Sequence, residues 1–242
     1  MKSKWSFIII TAVAFVMLGG TVIVLGFQNH QMQERVAEIK EQKEKQREEQ
    51  ILAEETEQMQ HYIDHLPEDY DVAGYDSWQK ATMIADHFVE DSEGRFKEEW
   101  GIFLALEAEK KDIDPFLVYE LLRVETGDTF DPETVGPKTQ YGRAYGMAQF
   151  MKNTGPWIAD MADLPYEDDL LFDPFYSIQL SVVYLEFLFS RYDDWDQALT
   201  AYHRGIYGME AYVEENGDAK SWYAVEIQEK AEESQQLVTV NQ

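Results

Sequence analysis

A run of apolar residues near the amino terminus divides the chain into parts that must fold in different surroundings. The run extends from Trp5 to Phe27, twenty-three residues without a charge. As a helix it would span roughly 34 Å, enough to cross a hydrocarbon core of about 30 Å. Lys2 and Lys4 precede it, and positive charge there favours a cytoplasmic amino terminus with an exported remainder. We therefore predict a transmembrane signal anchor at residues 1–27.

A cleaved signal peptide is the alternative interpretation of this run. The run is long for a signal peptide, and no small-x-small cleavage site follows it closely. These two features favour an uncleaved anchor. The rest of the chain would then lie on the extracytoplasmic, cell-wall side of the cell membrane.

The next segment, residues 28–66, is rich in charged and amide side chains. Residues 28–60 contain nine Glu, eight Gln and five Lys or Arg, with no Gly and no Pro. This composition favours a helix, and Glu41 and Lys45 lie at a spacing that stabilises one. Apolar residues are too sparse for a heptad seam. We predict a spacer that is either a solvated single helix or a weak coiled coil.

The remainder of the chain has the pattern of successive helices. Residues 67–95 predict a linker and a short helix, because the charged pattern breaks between Pro67 and Tyr75. Further helices are predicted over residues 98–111, 115–127, 145–161, 174–191 and 195–202, and no segment alternates with a period of two. The predicted fold class is all-α, with a domain at residues 96–231 and a carboxyl-terminal tail at 232–242.

Charge and composition exclude several classes of function. The chain has 47 acidic and 20 basic residues, for a formal net charge of −27. Nucleic acid is therefore not an expected partner, because Lys and Arg must neutralise its phosphates. The absence of Cys excludes disulfides, thiolate metal sites and a Cys nucleophile. His61 and His65 are four residues apart but have no third ligand nearby, so we expect neither a metal nor a cofactor.

One predicted helix carries a carboxylate on its apolar face. Val118, Leu121, Leu122 and Glu125 follow the i, i+3, i+4, i+7 spacing, and Glu125 falls in the last turn before Gly127. Partial burial and the negative end of the helix dipole would both raise its pKa. A general acid that works near neutral pH requires such a raised pKa. The same pattern also describes a Glu at a helix edge whose side chain turns into water.

Three short motifs set this carboxylate in a wider pattern. They read Glu125-Thr126, then Gly146-Met147-Ala148-Gln149, then Ala201-Tyr202-His203. In order and spacing they resemble the catalytic domain shared by soluble lytic transglycosylases and goose-type lysozymes, marked by Glu-Ser, Gly-Leu-Met-Gln and Ala-Tyr-Asn. The segment from Leu171 to Leu188 is similar to the Asp-Pro helix of that family. The resemblance covers roughly Trp100 to Ala231 and implies a lysozyme-like helical fold.

The chain departs from the family pattern at three places. Thr126 stands where the family has Ser and keeps a hydroxyl group. Met147 and Ala148 replace Leu-Met, which changes the shape of the glycan groove. His203 replaces Asn, and an imidazole can both donate and accept a hydrogen bond at neutral pH.

The resemblance implies cleavage of the β-1,4 bond between N-acetylmuramic acid and N-acetylglucosamine in peptidoglycan. Glu125 would act first as the acid and then as the base that activates the 6-hydroxyl of the same muramic ring, giving 1,6-anhydro ends. Tyr202 would form a hydrogen bond beside Glu125. The residues implied in substrate binding are Thr126, Gly146, Met147, Gln149, Tyr202 and His203.

Two alternatives remain at this point. A hydrolysing muramidase on the same fold would need a second carboxylate, and Asp128 and Asp131 are the candidates. An inactive wall-binding or assembly protein would keep the fold without the chemistry. The strongly acidic composition predicts weak attraction to anionic wall polymers, so tethering would have to keep any of these proteins at the wall.

Overall fold

The computed structural model describes residues 75–240 and, before them, residues 32–33, 35–36, 39–40, 42–47, 50 and 53. The chain divides into two compact units, Met1–Tyr70 and Asp71–Gln242. The described residues of the first unit are helical, and their apolar side chains Met32, Val36 and Ile39 are exposed, as expected for a solvated helix. The predicted anchor lies outside the described residues. Of the helices that are described, none is both long enough and apolar enough to cross a membrane.

The second unit, in its described part, consists of helices and one short β-hairpin. In chain order its elements are α1 (Tyr75–Asp91), α2 (Glu98–Lys110), α3 (Pro115–Thr126), β1 (Ala144–Tyr145), β2 (Phe150–Met151), α4 (Gly155–Met161), a 3₁₀ helix (Asp168–Phe172), α5 (Pro174–Tyr192), α6 (Trp195–Arg204), α7 (Ile206–Asn216) and α8 (Trp222–Val240).

Helix α1, which corresponds to the short helix predicted within residues 67–95, belongs to the folded core. Trp78, Ala81, Ala85 and Phe88 recur on one face and are buried, and this face packs against α2. The two helices approach closely at Gly101, where an added Cβ would lie 2.8 Å from the Cα of Ala85. The folded domain therefore includes the helix that begins at residue 75, ahead of the predicted boundary at 96.

Helix α2 is the central element of the domain. Every residue from Trp100 to Ala108 is buried, and the helix contacts α1, α3 and α5. A helix that is apolar on nearly all sides must be enclosed by other elements. It therefore forms the layer against which α3, the carrier of Glu125, is packed.

The ends of α3 follow the sequence prediction. The side chain of Asp114 accepts a hydrogen bond from the backbone N–H of Phe116 at 2.9 Å, and Pro115 occupies the first turn. Gly127 ends the helix with φ +58° in the left-handed region. Asp114 thus marks the start of the helix. Gly127 marks its end, so Glu125 lies in the last turn.

The helix predicted over residues 145–161 was wrong in its first half. The chain there forms the antiparallel hairpin β1–β2, in which Ala144 pairs with Met151. Gly146 and Gln149 both have positive φ, +74° and +51°, which a right-handed helix cannot accommodate. Helix α4 starts only at Gly155, with a Pro in its first turn. Pro156 would have interrupted a longer helix, because it lacks the backbone donor.

Helix α8 closes the domain and runs further than predicted. It packs against α3 and α6, and the N–H of Ala224 in its first turn donates to Ser221 Oγ at 3.2 Å. Residues 232–240, assigned to a tail, continue this helix, and Ser234 is still buried. At its other end, the first turn of α8 reaches Glu125 through Tyr223.

Candidate active site

Glu125 lies in the last turn of α3, on the face that the sequence pattern identified. Val118, Leu121 and Leu122 on that face are fully buried, whereas Glu125 is only partly buried. An otherwise apolar face therefore ends in a carboxylate at the surface of the core. This position removes part of its hydration while leaving an approach from solvent.

The carboxylate of Glu125 is held by a tyrosine that sequence reasoning missed. Tyr223 Oη donates to Glu125 Oε1 at 2.6 Å, and the side chain of Tyr223 is fully buried. Tyr223 lies in the first turn of α8, where Ser221 Oγ accepts from Ala224 N–H. A distance of this length is typical of a charge-assisted O–H···O bond. The bond fixes one oxygen and the rotamer of the carboxylate.

Burial raises the pKa of Glu125 to about 7, while the hydrogen bond from Tyr223 acts in the opposite direction. Desolvation is therefore the dominant effect, since it disfavours the charged carboxylate. At neutral pH both protonation states are populated. A carboxyl group with such a pKa can donate a proton and take one back.

Tyr202 does not form the bond that was expected of it. Its hydroxyl donates to the backbone oxygen of Ala148 at 3.0 Å and lies 3.3 Å from Ser181 Oγ. The hydrogen bond expected beside Glu125 comes from Tyr223 instead. Burial raises the pKa of Tyr202, and the charge of the Glu125 carboxylate raises it further. Tyr202 thus ties the second motif to α6.

Gly146 and Gln149 shape the hairpin beside the site. A Cβ at Gly146 would overlap the carbonyl oxygen of Leu171, so only glycine permits this approach of the backbone to the 3₁₀ helix. Gln149 Nε2 donates to Gly146 O at 2.7 Å and to Thr134 O at 3.2 Å. The amide donors of Gln149 are therefore engaged in holding the loop. Its contact with a glycan remains a prediction.

Met147 does not line a groove, because its side chain is fully buried. Its neighbour Ala148 is buried as well and contributes its carbonyl oxygen to Tyr202. The Met147-Ala148 pair therefore fills the space beneath the hairpin. A contact between Met147 and substrate would require this side chain to become exposed, and it stays a prediction.

Thr126 uses its hydroxyl within the protein. Thr126 Oγ1 donates to Leu122 O at 2.8 Å and accepts from Phe130 N–H at 3.0 Å. The residue is buried, so its hydroxyl stabilises the turn after α3. A direct contact with substrate was expected of Thr126; its hydroxyl has three internal partners, the third being Arg123 O at 3.3 Å, and the substrate contact stays a prediction.

His203, at the end of α6, stacks on Tyr223. The ring centroids are 4.6 Å apart with an angle of 21° between the planes. Trp222 meets His203 edge-on at 5.7 Å and is itself exposed. The residue as a whole is exposed to solvent. Its direct neighbour at the site is therefore the tyrosine that holds Glu125.

The two aspartates considered for a hydrolytic mechanism have other partners. Asp128 lies 3.3 Å from Arg95 Nη2 and 3.6 Å from Arg123 Nε. Asp131 Oδ1 accepts from the N–H of Glu133 at 3.0 Å, within a turn. Both side chains are thus engaged in the loop that follows α3. In the described part of the chain, no group of three or more His, Asp or Glu residues is placed to hold a metal.

Part of the chain is similar to known proteins. A family model described as the transglycosylase SLT domain matches residues 104–225, half of the chain. Among solved structures, an inactive mutant of the lytic transglycosylase Slt from Pseudomonas aeruginosa is similar at 17% identity and a TM-score of 0.47, over 63% of this chain and 28% of that one. The 70 kDa soluble lytic transglycosylase from Escherichia coli is similar at 17% identity and a TM-score of 0.41, over 64% and 28%. No curated protein matches.

The chain thus spans less than a third of the length of these two structures. The family match begins within α2 and ends within the first turns of α8. It therefore includes Glu125, the hairpin with Gly146 and Gln149, Tyr202 and Tyr223. By this match the chain belongs to the transglycosylase SLT domain family.

Proposed function

We propose that this protein is a peptidoglycan lytic transglycosylase that cleaves the β-1,4 bond between N-acetylmuramic acid and N-acetylglucosamine. Its products would carry 1,6-anhydro-N-acetylmuramic acid ends. The observation that carries the proposal is the state of Glu125: a partly buried carboxyl with a pKa of about 7, held at one oxygen by Tyr223. Family membership over residues 104–225 supports the substrate class.

The chemistry requires one proton to leave Glu125 and one to return. Protonated Glu125 donates to the glycosidic oxygen as the bond from that oxygen to C1 of the muramic ring breaks. The 6-hydroxyl oxygen of the same ring then bonds to C1, and its proton passes to Glu125. No water is consumed, and the intramolecular hydroxyl has a high effective concentration. A second carboxylate is therefore not needed to activate water.

The hydrolase alternative needs a base that activates water. Asp128 is paired with Arg95 and Arg123, and Asp131 Oδ1 accepts a hydrogen bond within its own turn, whereas the transglycosylase needs no second carboxylate at all. The wall-binding alternative needs no chemistry at Glu125. It leaves unexplained a carboxyl group with a pKa near neutrality and a dedicated hydrogen-bond donor.

We further propose that residues 1–27 anchor the protein in the cell membrane with the SLT domain on the cell-wall side. The uncharged run from Trp5 to Phe27 and the preceding Lys2 and Lys4 support this orientation. Protease added to intact spheroplasts should then degrade the SLT domain while the protein fractionates with membranes. Release of the protein in soluble form by spheroplasting would contradict the anchor.

The decisive experiment is mass spectrometry of the fragments that the full chain, purified in mild detergent, releases from isolated peptidoglycan. Glu125→Gln removes the acid while preserving the size of the side chain. Glu133→Gln, the same change at an exposed carboxylate in the following loop, is the matched control. We expect anhydro-muramic ends from the parent and the control, and none from Glu125→Gln.

Two other results would each support one of the alternative functions. Reducing muramic ends would identify a hydrolase, and Asp128→Asn would then be the next variant. Binding to peptidoglycan without release of any fragment, by parent and variants alike, would identify a wall-binding protein and overturn the proposal.

A further inference from the structure

The side chain of His203 covers one face of a ring that is otherwise enclosed by the protein. Tyr223 is fully buried, and His203 stacks on it with 4.6 Å between centroids. His203 itself is exposed. The imidazole therefore stands between solvent and the tyrosine whose hydroxyl holds Glu125 Oε1 at 2.6 Å.

The surroundings of His203 favour a neutral imidazole. Burial against its neighbours lowers the pKa of His203, and the positive charge of Arg204 lowers it further. Arg204 is directed at the ring of Tyr212 on α7, with 4.7 Å to the centroid. From α8 the facing groups are the rings of Trp222 and Tyr223. The hydroxyl of Tyr223 in turn donates to Glu125 of α3.

A neutral ring suits a covering role. Stacking of the two rings is stabilised because their facing surfaces are removed from water, and this does not require a charge on the imidazole. The burial that raises the pKa of Glu125 depends on water being kept from the carboxylate and from its donor. An opening over Tyr223 would admit water to both groups.

We propose that His203 is a positioning residue, which keeps water from Tyr223 and from the carboxyl group of Glu125 that Tyr223 holds. The inference rests on the proposed role of Glu125 as the catalytic acid. It assigns His203 a role that acts through another residue, in addition to any contact with glycan. What matters for this role is the flat ring and not the imidazole nitrogens.

Two substitutions at one position separate the ring from its nitrogens. His203→Phe keeps a flat ring over Tyr223 and removes the titrating group. His203→Ala removes the ring and leaves a gap at the surface. Glu125 must be protonated to act, so the fall of kcat on the alkaline side reports its pKa. We expect His203→Ala to move that alkaline limb to lower pH by about one unit, because a hydrated carboxylate is stabilised. His203→Phe should leave it in place.

The experiment uses the full chain in detergent and records kcat against pH on isolated peptidoglycan. Tyr207→Ala is the matched control, because Tyr207 is 86% exposed at the start of the next helix. A partial loss of folded protein would lower kcat at every pH without moving the limb. Thermal unfolding of each variant measures that loss separately.

A second readout does not depend on catalysis. Infrared difference spectroscopy can titrate the carboxyl band of Glu125, identified by its loss in Glu125→Gln. A downward shift of this titration in His203→Ala alone would support the positioning role even if the protein released no anhydro products. An unshifted titration in His203→Ala, or an equal shift in His203→Phe, would overturn the inference whatever the products are.

Discussion

Tyr223 donates a 2.6 Å hydrogen bond to Glu125 although the two residues are 98 positions apart in the chain. The bond joins the end of α3 to the beginning of α8, two helices that pack against each other. Burial and this bond act on the pKa of Glu125 in opposite directions. The acidity of the candidate catalytic group is therefore set by a balance that substitutions can shift either way.

Removal of the Tyr223 hydroxyl should raise the pKa of Glu125. In Tyr223→Phe the ring can still stack on His203, but the carboxylate loses its donor, so we expect the pKa of Glu125 to rise. The alkaline limb of kcat should move to higher pH. On the plateau, kcat should fall on the order of 10-fold to 100-fold, because the carboxyl is no longer oriented. Tyr212→Phe is the control, since the Tyr212 hydroxyl makes only an exposed contact with Lys220 O. A limb that moved to lower pH would contradict this account.

Glu120 should make stability depend on pH. It is 1% exposed and its carboxyl oxygens lack a hydrogen-bond partner. Arg123 Nε lies 3.5 Å from one oxygen, but the guanidinium also pairs with Asp91, so burial dominates. The pKa of Glu120 rises from 4.5 to about 7.

The sign of this effect follows from the raised pKa. The protonated group contributes stability that is fully present below pH 4.5 and is lost as the pH rises through about 7. The loss would be about 3 kcal/mol if this group acted alone. We expect the free energy of unfolding, measured in urea between pH 4.5 and 8, to fall more steeply with pH for the parent than for Glu120→Gln. Parallel curves would show that Glu120 does not titrate in this range.

Gly146→Ala should destabilise the domain strongly. The added Cβ would overlap the carbonyl oxygen of Leu171, and φ is +74°. We expect a loss of at least about 2 kcal/mol in the free energy of unfolding. Gly217→Ala separates the steric overlap from the strain of a positive φ. Gly217 has φ +87°, but an added Cβ would meet nothing within 4 Å. We therefore expect a loss of only about 1 kcal/mol for Gly217→Ala. Equal losses in denaturant unfolding would show that the contact with Leu171 is unimportant.

The hydroxyl of Thr126 should matter for stability rather than for substrate affinity. Thr126→Val leaves the N–H of Phe130 and the carbonyl of Leu122 without this partner, at an expected cost of about 1–3 kcal/mol. Thr126→Ser keeps both hydrogen bonds and should cost less than about 1 kcal/mol. Chemical unfolding measures both variants. A rise in KM without a change in stability would return Thr126 to the group of substrate contacts.

The parts of the fold that could be predicted from sequence are those with strong local signals. Asp114, Pro115 and Gly127 mark the ends of α3, and the apolar spacing within it places Glu125 on the buried face. The hairpin was missed because its residues carry a helix-like apolar pattern. Its geometry comes from positive φ at Gly146 and Gln149 and from the contact with Leu171, which is distant in sequence.

The site was predicted in part, and the misses share a physical cause. Tyr202 was expected beside Glu125 because it lies in a motif, whereas Tyr223 lies in a short segment without a recognised pattern. Which tyrosine reaches the carboxylate depends on how α6 and α8 pack, and no local spacing encodes that. Local spacing likewise does not encode the burial of Met147, which follows from the turn of the hairpin.

The position of Tyr223 has a consequence for the timing of synthesis. A ribosome completes α3 long before it reaches residue 223, so a growing chain contains the acid without its donor and without the cover of α8. Until α8 is made and packs against α3, the hydrogen bond from Tyr223 to Glu125 cannot form. The geometry that we propose for catalysis is therefore complete only when α3 and α8 have both formed and packed together.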